Sequence, residues 1–161
     1  MLDLKKNFHK NFLKILQKVI RKKKVALHEP YLFGYEKRYI NDCIEKNQLT
    51  YGKYNNEFER LISKFTKAKY CIGVINGTSA LHLSLKLLGC NKKHEILVPA
   101  LTFVGTVNAV NYTGAHPHFI DSEKDFMNID IEKLEKYLEK ITKLKKNKLI
   151  NKRTGRIIKA I

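Results

Sequence analysis

At 161 residues and 43% apolar, the chain has room for one domain with a real core. Its net charge of +17 sits at the ends: residues 1–24 hold nine Lys or Arg against Asp3, residues 140–161 hold nine and no acid, and residues 25–139 balance 14 against 14. The neutral middle therefore lacks a nucleic-acid footprint. Three cysteines without C-x-x-C argue against a disulfide framework or a zinc site and fit a reducing, cytoplasmic setting.

No apolar run approaches the ~20 residues of a membrane span. Phe8, Phe12, Ile15, Leu16, Val19 and Ile20 recur at helical spacing, with Lys10, Lys14, Lys18 and Arg21 between them. Lys14 and Lys18 interrupt what would be a signal-peptide core. Residues 1–24 read as a basic amphipathic helix, ended by Arg21-Lys22-Lys23-Lys24 and separate from residues 25–161. Packing on its own domain or a partner subunit is the first reading, with a membrane surface or targeting as alternatives. Val25–Pro30 is extended before the proline. Glu36–Lys46 reads as a helix with Tyr39, Ile40, Cys43 and Ile44 on one face. Gln48–Tyr54 is a loop, after which Asn55 caps a helix through Phe65 that buries Phe58, Leu61, Ile62 and Phe65.

Ile72–Gly89 organises the rest. Ile72, Val74 and Ile75 suit a buried strand, Asn76-Gly77-Thr78-Ser79 a small polar turn, and the following Leu-rich segment a helix closed by Gly89. Leu81, Leu83, Leu85 and Leu87 also alternate as in a strand, but Ala and Leu content and the capping signals favour helix. Such a turn gathers backbone N–H groups at the positive end of a helix dipole, with the hydroxyls of Thr78 and Ser79 beside them. A phosphate would be well held there, although plain helix capping explains the same residues. Neither a Walker pattern nor G-x-G-x-x-G occurs.

Glu95–Val98 is a short apolar strand stopped by Pro99. Thr102 caps a helix from Phe103 to Tyr112, closed by Gly114. His116–Ile120 is a third strand, Ile131–Ile141 a helix, Lys143–Arg156 a polar, basic connection, and Ile157–Ile161 a fourth strand. Strands alternating with helices argue for an α/β fold with βαβ units and an incomplete, mainly parallel sheet. A chain that stops inside an apolar strand reads as the front part of a larger protein. His116 and His118 share a strand face but lack a spaced third metal ligand. They read as a half-buried pair, His82 as a surface or packing histidine, Cys71 and Cys90 as small core residues, and Asp121 as structural.

Taken together, Leu49-Thr50-Tyr51-Gly52, Asn76–Leu83, Val98–Val104, Asn108-Ala109, Gly114-Ala115 and Phe119-Ile120-Asp121 resemble the DegT/DnrJ/EryC1/StrS sugar aminotransferases, in order and spacing, over about residues 25–161. Leu27–Pro30 and Asn151–Arg156 are similar to a branch that aminates nucleotide-linked 4-keto sugars on routes to legionaminic-acid-type sugars. The resemblance implies the large domain of a fold-type I pyridoxal 5'-phosphate enzyme. It implies that Gly77, Thr78 and Ser79 hold the cofactor phosphate and that Phe103 stacks on the pyridine ring. Phe103 follows a strand's carboxyl end, where ligands of open α/β sheets collect. The competing reading is a core aromatic. Thr50 and Tyr51 would line the substrate side or, equally, form a turn.

Amino transfer also requires a Lys bonded to the cofactor and an acid against its ring nitrogen. In the family both lie beyond the point matching residue 161, so no catalytic residue is carried over and the chain is expected to be inactive alone. The implied partners are a nucleotide-linked keto sugar, an amino donor such as glutamate and, in a complete protein, a second subunit of a homodimer. The competing class is a non-catalytic module, or a relic of a truncated gene, whose basic ends bind RNA or a membrane.

Overall fold

The computed structural model describes residues 2–20, 28, 30–48 and 50–161, and its contacts divide into two units, Met1–Glu57 and Phe58–Ile161. The readings of Arg21–Lys24 as a stop, of Val25–Leu27 as extended and of Leu49 lie outside the described residues.

The first unit holds α1 (Leu2–Ile20), α2 (Glu36–Glu45) and the start of α3 (Lys53–Thr66). α2 stops where Asn47 turns left-handed (φ 53°), with Asn47 N–H donating to Ile44 O and Gln48 N–H to Cys43 O. The Asp42 carboxylate lies between Lys46 Nζ (2.5 Å) and Lys53 Nζ (2.7 Å) and so joins α2 to α3. Bonds from Lys46 and Lys53 hold it well below the usual carboxylate range, and Asp42 in turn raises Lys53. α3 starts earlier than expected: Asn55 and Asn56 donate to Gly52 O, so Asn55 lies within the helix and does not cap it.

The expected burial along α3 is also corrected. Phe58, Leu61 and Phe65 remain 55%, 48% and 86% exposed, and Ile62 is half-buried. An apolar stripe marks the face that can be covered, but covering it takes a neighbour.

The second unit continues with α4 (Gly77–Leu87), β1 (His94–Pro99), α5 (Val104–Tyr112), β2 (His116–Ile120), α6 (Ile131–Ile141), β3 (Thr142–Lys145), β4 (Lys148–Asn151) and β5 (Ile157–Ala160). The five strands form one sheet in the order β2-β1-β5-β4-β3. β1 pairs parallel with β2, Glu95 opposite His116 and Pro99 opposite Ile120, and parallel with β5 on its other side. A strand so enclosed is buried on both faces, and Glu95 through Val98 are all buried. Ile96 faces the core formed by Leu85 of α4, Cys90, Val110 of α5 and Ala115, with Ala160 of β5 alongside. Gly89 (φ +72°) and Gly114 (φ +76°) close α4 and α5 in the left-handed conformation that a side chain resists.

Three elements differ from expectation. Ile72–Ile75 is not a strand: Ile72, Val74 and Ile75 are 71%, 41% and 90% exposed, and among the described residues no strand pairs with them. β-branched composition permits extension, but a ladder needs a second strand. Gly73 N–H instead donates to Glu59 Oε1 of α3 at 2.8 Å.

The basic connection from Lys143 is a hairpin, β3 against β4, turned at Lys146 (φ 49°) and Asn147 (φ 58°) as a two-residue type I′ loop requires. β4 also pairs antiparallel with β5, which makes the sheet mixed. β5, the expected fourth strand, is hydrogen-bonded on both sides. Lys152 closes the return by donating from its backbone to Ile141 O (2.8 Å) and from Nζ to Lys140 O (2.9 Å), the exposed carbonyls at the end of α6.

Candidate functional site

Two helix starts in the second unit meet. Asn76 stands extended before α4, and its Oδ1 accepts from Ser79 N–H at 2.8 Å. This satisfies one of the donors a helix start leaves open. It also narrows the anion reading, because Ser79 N–H is already engaged. Among the described residues Gly77 N–H and Thr78 N–H have no acceptor, and the hydroxyls of Thr78 and Ser79 make no hydrogen bond. Gly77 lies open, with no heavy atom within 4 Å of where a Cβ would stand. Replacing Asn76 by Ala is expected to cost about 1 kcal/mol, read by urea unfolding.

α5 packs against α4. Thr102, expected as its cap, instead shares a hydrogen bond with Thr106 Oγ1 at 3.1 Å, and the N-cap position belongs to Phe103, whose side chain makes no capping bond. The loop carrying Phe103 is held at its base by Ala100 N–H donating to Ile120 O at 2.8 Å, beside the carboxyl ends of β1 and β2. Phe103 is 78% exposed.

Gly105 is the close contact between the two starts. A Cβ there would collide with Thr78 Oγ1 and stand 3.0 Å from Phe103 Cδ1. The Thr78 hydroxyl and the Phe103 ring therefore flank one point, and only glycine leaves it clear. Sequence reasoning did not single out Gly105. Its signal is a glycine inside a helical pattern, a choice that costs ~1 kcal/mol unless close packing requires it.

The donors fit a phosphate: two backbone N–H groups and two hydroxyls at the positive end of an 11-residue helix, with an exposed aromatic ring one contact away.

A second polar constellation lies on the other face of β1. Glu95, 3% exposed, accepts at Oε1 from Thr154 Oγ1 (2.5 Å) and at Oε2 from Asn151 Nδ2 (2.9 Å), while His118 Nδ1 lies 2.8 Å from Oε2. Arg156 Nη1 stands 3.6 Å from Oε1, and His118 Nε2 is 2.9 Å from Tyr137 OH of α6. Burial pushes the Glu95 carboxyl up, but the bonds to Thr154, His118 and Asn151 outweigh it and hold the group below its ordinary value. His118, first read as half of a histidine pair, thus belongs to a network with Glu95 and Tyr137. An isolated Glu at the start of an apolar strand gave no sign of it.

The remaining expected residues fall elsewhere. Thr50 and Tyr51 belong to the first unit and line a groove of about 300 Å³ with Tyr39, Ile40 and Tyr54. Tyr51 OH donates to Asn56 Oδ1 at 2.5 Å. His82 packs edge-on against Tyr112, centroids 5.6 Å apart. Cys90 is buried in the core, and burial pushes its thiol up; Cys71 is half-buried. Asp121 is exposed, 3.6 Å from Lys133 Nζ.

Comparison with known proteins identifies the family. The model of the DegT/DnrJ/EryC1/StrS aminotransferase family matches residues 32–150. GDP-perosamine synthase of Escherichia coli O157:H7 is 36% identical over 122 residues, 75% of this chain and 34% of the relative. A DegT DnrJ EryC1 StrS aminotransferase from Brucella abortus superposes with a TM-score of 0.64 at 28% identity, over 78% of this chain and 31% of that one. The E. coli GDP-4-keto-6-deoxy-D-mannose-3-dehydratase with bound hydrated PLP superposes with a TM-score of 0.59 at 27% identity, over 70% and 31%. The chain spans about a third of the length of the curated relatives it matches.

Proposed function

This chain belongs to the DegT/DnrJ/EryC1/StrS aminotransferase family, and on that premise we propose that it supplies the cofactor-cradling part of a sugar aminotransferase acting on a nucleotide-linked keto sugar. Pyridoxal phosphate is the cofactor that the family and the PLP-bound neighbour indicate. Bound, it supplies an electron-accepting ring for amino transfer. Gly77 and Thr78 donate backbone N–H groups to its phosphate, and the hydroxyls of Thr78 and Ser79 add two more donors. Phe103 covers one face of the ring and keeps water from it. Thr50 and Tyr51 are assigned to the sugar side. The observation that carries this reading is the shared position of Thr78 Oγ1 and the Phe103 ring around Gly105.

The substrate class rests on the resemblance and on relatives named for nucleotide-linked sugars. For the whole protein, the reading includes a glutamate-like amino donor, a homodimer and a cytoplasmic setting. No helix among the described residues is long and apolar enough to cross a membrane. The 161 residues are proposed to bind the cofactor without turning over, because no Lys is assigned to the ring.

Titration of the chain with pyridoxal phosphate, followed by absorbance, tests both halves. Thr78→Val and Phe103→Ala are each expected to weaken binding about tenfold or more, as for the loss of a charge-assisted hydrogen bond or a stacked ring. Unchanged affinity in both variants would remove the site. Amino transfer to a keto acid by these residues alone would instead overturn the proposed inactivity.

A further inference from the structure

We propose that α1 is an anchor for an anionic phospholipid surface, lying in the headgroup plane with its aromatic face down. The helix lies outside the family match, which begins at residue 32, and the aminotransferase reading does not use it. Phe8, Phe12, Ile15, Leu16 and Val19 fall on one arc, and Phe8, Phe12, Ile15 and Val19 are 66%, 50%, 61% and 74% exposed. The rings of Phe8 and Phe12 stack nearly parallel on that arc, 9° apart with centroids at 6.1 Å. Lys10, Lys14 and Lys18, four residues apart, make a stripe on the opposite arc with Asn7, Asn11 and Gln17.

An apolar face, a cationic face and a length of 19 residues that is not a span describe a helix that lies in an interface. Charge decides the occupant. Residues 1–24 carry nine positive charges against one negative, and Arg21–Lys24 follow the helix directly. Such a segment gains about fivefold in affinity per Lys or Arg near an anionic leaflet. A second copy would bring the same excess of like charge against itself. RNA would meet the lysines but leave the opposite apolar face open, whereas single-strand binders interleave aromatic and basic residues on one surface.

Co-sedimentation of the full chain with vesicles of phosphatidylcholine plus phosphatidylglycerol, and of phosphatidylcholine alone, tests this. Binding is expected to the anionic vesicles only and to weaken as salt rises. Phe12→Glu should reduce it at least about tenfold, and joint replacement of Lys10, Lys14 and Lys18 by Gln about a hundredfold or more. Circular dichroism of each variant without vesicles checks that the chain still folds, and the lysine variant, which leaves every apolar side chain in place, keeps the test independent of Phe12. Equal binding to neutral vesicles, or none to either, would overturn the proposal. So would a Phe12→Glu variant that changes elution volume in gel filtration while wild type ignores vesicles, since the face would then belong to a second copy. Salt-sensitive RNA binding that survives Phe12→Glu, without vesicle binding, would likewise sink it.

Discussion

Gly105→Ala is expected to weaken pyridoxal-phosphate binding by about ten- to a hundredfold, the value of a charge-assisted hydrogen bond to phosphate. The added methyl group cannot coexist with Thr78 Oγ1 where it stands, and it presses on the Phe103 ring from 3.0 Å. Either Thr78 rotates its hydroxyl away or α4 and α5 separate, and both spoil the same point. Two opposing effects set the change in stability. Alanine gains about 1 kcal/mol over glycine within a helix, and overpacking costs about 1–3 kcal/mol. The net change therefore lies between nothing and a loss of about 2 kcal/mol. Adding Thr78→Ala to Gly105→Ala removes the colliding hydroxyl, so stability should recover while affinity does not. Titration with the cofactor and urea unfolding of the three variants separate the two effects. Full affinity in Gly105→Ala would show that the hydroxyl does not hold the phosphate.

Glu95→Gln is expected to destabilise the second unit by about 3 kcal/mol, the range for removing one partner from a buried charged network. Glutamine has the right size but brings a donor where Thr154, Asn151 and His118 already converge on two acceptor oxygens. The damage should centre on the hairpin β3–β4 and the turn to β5, because Asn151 and Thr154 tie that segment to β1. Asn151 Oδ1 also accepts from Arg153 N–H (2.9 Å), so its orientation fixes the turn itself. Hydrogen exchange at Leu149 and Ile150 would report this as faster opening.

The pH dependence has a definite sign. Folding lowers the Glu95 carboxyl below its ordinary value of 4.5, so the ionised form favours the native state. That contribution is complete above the ordinary value and disappears as pH falls through the lowered one. The stability gap between wild type and Glu95→Gln should be widest above about pH 5 and close as acid is added. A gap independent of pH would assign the effect to packing.

Much of the architecture was legible because it is local. His116–Ile120 and Ile131–Ile141 have the bounds their patterns predict, and Gly89 and Gly114 stand where helices close. The turn Asn76–Ser79 was legible as a candidate phosphate cradle from residue type and order, whereas Phe103 became a candidate only through the family resemblance. Where expectation failed, the missing quantity was a partner distant in the chain. Ile72–Ile75 has the composition of a strand but no neighbour to pair with among the described residues. Lys143–Arg156 has the composition of a loop, yet Glu95, more than fifty residues earlier, holds Asn151 and Thr154 and so allows a hairpin to form.

The sequence by itself determined the α/β class, the family and the donor-rich turn, since spacing, caps and residue chemistry are written along the chain. The tertiary structure alone decided that the sheet is mixed, that Glu95 is its polar tie and that Gly105 brings Thr78 to Phe103. Each of these depends on which side chains meet across tens of residues, and meeting is settled by burial and close packing, not by local preference.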